Sequence, residues 1–279
     1  LLQVPETTLR IMSLNMQYGS GPEDDENDFM RHVPLKELEY NIGRITDLIY
    51  EINPDIICLQ ETDFESSRTH LMNQPEEIRR KLIDKGLDFP YLERGSCIDL
   101  DQERFKYLAK GIRWAYPKKT FEWLFKLAGI ETGRLPEGAI KLHFGNATIS
   151  KLAIKKFWHE YYFPSPTISY LRNFNIVSRR DERKSYLRCL VDYFPEVQEK
   201  LPLYVINTHF ENGREENRRK QSKILHRKIT LDFQKEEQEN KKKQEKISKI
   251  VYDKISPRSG AHKIIAGDFN SVPRGSDFD

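Results

Sequence analysis

Pro54-Asp-Ile-Ile-Cys-Leu-Gln-Glu61 is the stretch from which the fold reads outward. Ile56–Leu59 is apolar without interruption, and strands buried on both faces read as continuous apolar runs. The run then stops on Gln60-Glu61. Upstream, Leu35, Leu38, Ile42, Ile45, Leu48, Ile49 and Ile52 recur at spacings of three and four, which predicts an amphipathic helix. Asn53-Pro54 ends it, because a residue before proline disfavours the α region. Three more short apolar runs close on polar side chains: Ile11-Met-Ser-Leu-Asn15, Val205-Ile-Asn-Thr-His209 and Ile264-Ile-Ala-Gly-Asp268, the last continuing through Phe269 to Asn270. Polar residues at strand ends collect at one rim of a sheet, where a rigid scaffold holds them in place.

Other segments read more coarsely. Residues 76–85 are predicted helical, 89–94 extended and 186–193 a strand. Residues 146–151 and 152–157 suggest a strand pair, with Gly145 and Asn146 as its entry turn. Residues 214–252 read as one long, highly charged helix or a helix pair. Gly19–Gly21 and the acidic tract Glu23–Asp28 are loop-like. There is no internal repeat and no Pro/Gly/Ser-rich linker, so one domain spanning 1–279 is expected.

The composition, 32% charged and 38% hydrophobic with 15 Phe and 13 Tyr, excludes disordered and collagen-like chains. No apolar run reaches the length of a membrane-spanning helix. Cys58, Cys97 and Cys189 show no C-x-x-C spacing, which argues against a thiolate metal site or a disulfide framework. It favours a reducing, cytoplasmic compartment. The net charge of +3 is uneven, since residues 212–254 hold 14 Lys/Arg against 8 Asp/Glu. The tract 235–249 within that segment reads as a solvated face. Residues 104–126 interleave seven aromatics with seven Lys/Arg. Such a stretch packs its rings on the domain, or stacks bases, or lies on lipid.

The four strand-end cassettes carry Asn, Glu, His and Asp-x-Asn, a set suited to metal-assisted phosphoryl transfer. A phosphoester anion repels nucleophiles, so its hydrolysis wants a hard divalent cation on a phosphoryl oxygen and a positioned water. Mg²⁺ takes oxygen ligands and is held by one or two carboxylates plus substrate oxygens. Glu61 fits as main ligand and Asn15 as a neutral second contact. His209 and Asn270 can donate to oxygens whose charge grows in the transition state. Asp268 can orient or deprotonate the attacking water, or the group that does so. Arg188, on a predicted strand, either reaches the phosphate or buries its stem beside a carboxylate.

These same cassettes, Leu14–Gln17, Pro54–Glu61, Gly145–Lys151, Asn207–Gly213 and Gly267–Pro273 in that order, resemble the endonuclease/exonuclease/phosphatase superfamily over about residues 9–273. The resemblance implies an α/β (α+β) architecture, a four-layer α/β/β/α sandwich of two packed mixed sheets, with Mg²⁺ or Mn²⁺ dependence. Carried over by position, Asn15 and Glu61 would serve the metal and His209 the scissile phosphate. Asp268 and Asn270 would serve the nucleophile and transition state, and Asn212 would be a further polar residue of the site. Residues 104–140 are longer than the family's minimal connection and read as an insert that could select the substrate. Members close on a Ser-Asp-His cassette, whereas here the last histidine is His262. The expectation is that a C-terminal part is missing from this chain, leaving both sheets incomplete with an exposed edge; a chain ending at Asp279 would be a crippled enzyme. The leading function is a nuclease-type phosphodiesterase, with nucleic acid favoured over phospholipid. The alternatives are a lipid or inositol phosphoesterase, sphingomyelinase-like, and a catalytically silent binding module that keeps the fold.

Overall fold

Residues 35–52 coil into α1 (Leu35–Ile52), which buries Leu38, Ile42, Thr46 and Ile49 along one stripe and closes on Asn53 in the left-handed conformation. The architecture is that of a computed structural model, which describes residues 9–20, 32–101, 141–162, 184–193, 201–210, 215–248 and 262–270. Pro75 starts α2 (Gln74–Asp84), where its missing N–H costs nothing. The third helix, α3 (Glu215–Ser248), is a single helix rather than a pair. The strands are β1 (Ile11–Asn15), β2 (Ile56–Asp63), β3 (Tyr91–Asp101), β4 (Lys141–Ser150), β5 (Ile154–Tyr161), β6 (Ser185–Tyr193), β7 (Leu201–His209) and β8 (His262–Asp268).

They form two mixed sheets, ordered β1-β2-β4-β3 and β5-β6-β7-β8. In the first, β1 runs parallel to β2, with Ile11 opposite Ile56 and Asn15 opposite Gln60. In the second, β7 runs parallel to β8, with Leu203 opposite His262 and His209 opposite Asp268. The other neighbours are antiparallel. The expected pairing of residues 146–151 with 152–157 is not found. Lys151–Ala153 instead carries the chain from the first sheet to the second, and β4 and β5 join different partners.

Three apolar layers hold the stack together. Leu38, Ile42, Ile49, Ile78 and Leu82 of the two short helices pack on Ile57, Leu59, Phe144, Ala147 and Ile149 of the first sheet. The alternate residues Ile56 and Cys58 face the other way, onto Leu187, Cys189, Val191, Leu203 and Val205 of the second sheet. Tyr186 and Ile206, on the far side of that sheet, meet Leu225 and Ile229 of α3. The period-two alternation of β2, β6 and β7 therefore feeds both faces of each sheet, and the result is the α/β/β/α sandwich. Burial pushes the Cys58 thiol up to about 12, so it behaves as a small core hydrophobe. No described helix is long and apolar enough to cross a membrane.

Gly145 and Asn146 lie inside β4, not in an entry turn. A Cβ on Gly145 would stand 2.1 Å from the carbonyl oxygen of Gly95, so glycine is needed there for the close approach of two strands. The register of β4 slips on both sides nearby, between Ser96 and Ile98 of β3 and between Leu59 and Thr62 of β2.

Candidate functional site

The parallel pairs β1/β2 and β7/β8 end at the same rim of the sandwich, and β1 packs across β8 there. At that rim the interior turns from apolar to polar. Ser13, Gln60, Asn146, Ser185 and Asn207 replace the Ile, Val and Cys side chains of the opposite end. Gln60 Nε2 donates to Asn207 Oδ1 at 2.7 Å and to the Cys58 carbonyl at 3.0 Å. Asn207 Nδ2 in turn donates to the carbonyls of Leu59 (3.0 Å) and Ala147 (2.8 Å), where the β2/β4 ladder breaks. Buried amides with their bonds made contribute about 0.5–1.5 kcal/mol each and resist sliding of one sheet over the other.

On this platform stand the side chains singled out from the sequence. Asn15 Nδ2 donates to Asp268 Oδ2 at 2.9 Å, while Asn15 Oδ1 accepts the backbone N–H of Gln17 at 2.9 Å. His209 Nε2 lies 3.3 Å from Glu61 Oε1, with the ring buried and the carboxylate 12% exposed. His209 is the register partner of Asp268 and Asn15 that of Gln60, so the two cross-sheet contacts bring Asn15, Glu61, His209 and Asp268 to one rim. Asn270 completes it from beside Asp268, whose Oδ1 accepts the Asn270 backbone N–H at 2.8 Å. Asn270 Nδ2 donates to the Phe210 carbonyl at 2.7 Å, and the Phe210 N–H donates back to Asp268 O at 2.8 Å. An Asx-type turn and a site carboxylate thus coexist in one residue.

Local backbone aims these groups. Glu61 has φ 53° within the β2 bulge, and Asn270 has φ 47° just past β8. A bulge redirects a side chain that regular pleating would point elsewhere. Gly267 has no room for a side chain, since a Cβ would meet the Thr208 carbonyl oxygen at 1.9 Å; that contact sets β8 tightly on β7 one residue before Asp268.

Lys184, immediately before β6, is a member that sequence reasoning missed. It is 6% exposed, and its Nζ lies 3.1 Å from both His209 Nδ1 and His209 Nε2. Its tract, Arg179–Lys184, has charge but no spacing that marks one residue. Arg188 does not join the rim. Its strand neighbours Leu187 and Cys189 face the inter-sheet core. Arg188 itself stacks on Trp158 (4.2 Å) and Tyr204 (5.7 Å) on the opposite face, near Glu160. Asn212, residues 104–140 and the segment after Asn270 lie outside the described residues. Glu61, Asp268 and Asn15 together offer hard oxygen donors. Among the described residues no group of three or more His, Cys, Asp and Glu side chains is arranged to hold a metal.

Comparison with known proteins extends this picture. No curated protein matches the chain. An endonuclease/exonuclease/phosphatase from Beutenbergia cavernae DSM 12333 is similar at 17% identity, over 78% of this chain and 43% of that one, with a TM-score of 0.46. ANGEL2, a 2′,3′-cyclic phosphatase, is similar at 18% identity over 95% of this chain and 53% of its own, also at 0.46. The mannosyl-6-phosphatase Bt3783 of Bacteroides thetaiotaomicron VPI-5482 is 11% identical over 94% of this chain and 66% of its own, at 0.44. The chain spans about half the length of the first two of these structures. The model of the Endonuclease/Exonuclease/phosphatase family matches residues 12–279, a stretch that takes in β1 from Met12 onward, the other described strands whole and every side chain of the rim. On that match the chain belongs to the endonuclease/exonuclease/phosphatase family.

Proposed function

We propose that this chain is a divalent-metal-dependent phosphoesterase whose reaction takes place on the rim formed by Asn15, Glu61, His209, Asp268 and Asn270. The observation that carries the reading is a pair of contacts across the two sheets at one rim. Four side chains from two sheets, far apart in sequence, meet through contacts of 2.9 Å (Asn15–Asp268) and 3.3 Å (His209–Glu61). The donor chemistry fits Mg²⁺ or Mn²⁺, which binds through one or two carboxylates, water and substrate oxygens rather than a full protein cage. Glu61 would be the principal ligand and the Asn15 amide oxygen a weaker one. Bound there, the ion would neutralise charge on a phosphoryl oxygen.

The chain's own residues supply the rest. Asp268 is oriented from both sides, by the Asn15 amide and by the Asn270 N–H, so its carboxylate is set to align an attacking water. His209, fixed at the end of β7 beside Glu61, provides a ring donor for the phosphoryl group. Asn270 holds its left-handed position through Phe210 and completes the polar wall. Asn212, three residues beyond His209, is proposed as a further contact.

Within this class a nuclease is the favoured reading. The basic segment of residues 212–254 includes α3, which begins five residues beyond the rim residue Phe210. A cationic helix rooted at the site suits a polyanion.

The test is hydrolysis of bis-p-nitrophenyl phosphate and of a short oligonucleotide by the full-length protein, with Mg²⁺, with Mn²⁺ and with EDTA. Turnover that needs the metal and falls at least a hundredfold in both Glu61→Gln and Asp268→Asn is expected. Full activity in both variants removes the site assignment. Oligonucleotide binding should weaken steeply as salt rises; binding that ignores salt, with turnover of phospholipid vesicles, would select the lipid reading.

A further inference from the structure

We infer that Lys184 is a positioning residue of the rim, acting on the phosphoryl anion through His209; the inference rests on the reading of the rim given above. An ammonium equidistant from both imidazole nitrogens, at 3.1 Å from each, cannot lie in the ring plane without overlapping the carbon between them. It therefore stands over the ring face, in a cation–π placement. The other side of the arrangement is anionic. His209 Nε2 lies 3.3 Å from Glu61 Oε1. His209 is thereby clamped between a fixed cation and a fixed carboxylate, and both it and Lys184 are buried.

The clamp has a chemical consequence. A lysine buried at 6% exposure is a costly way to fill space, and a long flexible side chain gives up its rotamer freedom to sit there. Its charge is delivered where an incoming phosphoryl group meets the ring, and it offsets Glu61 and Asp268, which would otherwise repel that anion. Orientation of His209 and compensation of the two carboxylates are one act. Arginine retains the charge and can also stack on a ring, but its larger planar fork has to fit a site shaped around a compact ammonium.

The experiment is a double-mutant cycle on the full-length protein with Lys184→Met, His209→Ala and the pair. It is read as affinity for inorganic phosphate in Mg²⁺ by calorimetry, and as kcat and KM on bis-p-nitrophenyl phosphate. Lys184→Met should weaken phosphate binding and kcat at least tenfold. In the His209→Ala background the same change should cost less than threefold, because the ring through which it acts is gone. Lys184→Arg, which keeps the cation and guards against loss of folding, should recover part of the kcat loss. Additive effects in the cycle, or wild-type phosphate affinity in Lys184→Met, overturn the inference while leaving the phosphoesterase reading intact. Wild-type phosphate binding with a non-additive cycle but no turnover would uphold the clamp and sink the phosphoesterase. Failure of the wild-type protein to bind phosphate would overturn both.

Discussion

Two deletions of the same carboxylate, Glu61→Ala and Glu61→Gly, separate what the side chain does from what the backbone does. Both remove the 3.3 Å contact with His209, so that loss cancels between them. The backbone term remains. Glu61 sits at φ 53°, where an L-residue with a Cβ costs about 1–2 kcal/mol and glycine almost nothing. Against this, glycine loses more freedom on folding, by roughly 0.5–1 kcal/mol. The difference leaves Glu61→Gly the more stable of the two by about 0.5–1 kcal/mol, the reverse of the usual order in a strand. Urea titration followed by circular dichroism reads it as a higher midpoint at equal slope. In a chain of this size the same gap shows as a melting temperature about 1–4 °C higher. Both variants should be inactive. If Glu61→Ala proves equal to or more stable than Glu61→Gly, the left-handed bulge is not there, and the account of how the carboxylate is aimed falls with it.

Two further outcomes follow from the packing and the charges. Arg68 is 2% exposed and bonds both carboxylate oxygens of Asp63 (2.8 and 2.7 Å) beneath the Tyr18 ring, tying the loop after β1 to the loop after β2. Arg68→Met should cost roughly 3–5 kcal/mol by leaving the buried Asp63 carboxylate without its cation, and Arg68→Met/Asp63→Leu should restore much of it in the same urea assay; equal losses in the single and double variants would refute the pairing. The pH dependence centres on Glu160, where burial raises the carboxyl pKa but hydrogen bonds from Lys228 and Tyr186 and the Lys228 charge outweigh it, for a net lowering below the ordinary 4.5. A depressed folded pKa gives stability that is present above the unfolded value and lost as pH falls through the folded one. The stability gap between wild type and Glu160→Gln should therefore be open at pH 7 and narrow progressively below pH 4.5; a gap that widens with acid would contradict the assignment.

Much of the rim could be read from the chain because its four main members each end an apolar run, and a run's length and its terminal polar residue are local facts. The helix α1 was legible for the same reason, since its buried stripe repeats every three or four residues. What escaped was long-range. Lys184 meets His209 across 25 positions, and no spacing rule links an isolated lysine to a ring that far along. Gly145 was misread because glycine marks both turns and close strand approach, and only the Gly95 carbonyl on another strand decides between them. The pairing of residues 146–151 with 152–157 failed because neighbours in sequence pair about two-thirds of the time, and nothing local announces that Lys151–Ala153 changes sheets. Arg188 was ambiguous until Leu187 and Cys189 fixed which face is inward.

The polar seam through the interior has a physical reason. At the far end, Ile56, Cys58, Val191 and Val205 pack the sheets together without specifying their offset closely, since apolar contact is non-directional. Near the rim, a slide of one residue would move Asn15 away from Asp268 and Glu61 away from His209. The Gln60–Asn207 bond at 2.7 Å crosses between the sheets one residue before Glu61 and two before His209. Asn207 then spends its amide hydrogens on carbonyls exposed by the very bulge that turns Glu61. The irregularity that aims the carboxylate thus creates the acceptors that lock the sheets, so positioning of the site and registration of the fold are solved by the same few atoms. An all-aliphatic interior would gain transfer free energy and lose that directional lock, which is why the amides that cross between the sheets stand at the end where the chemistry is proposed.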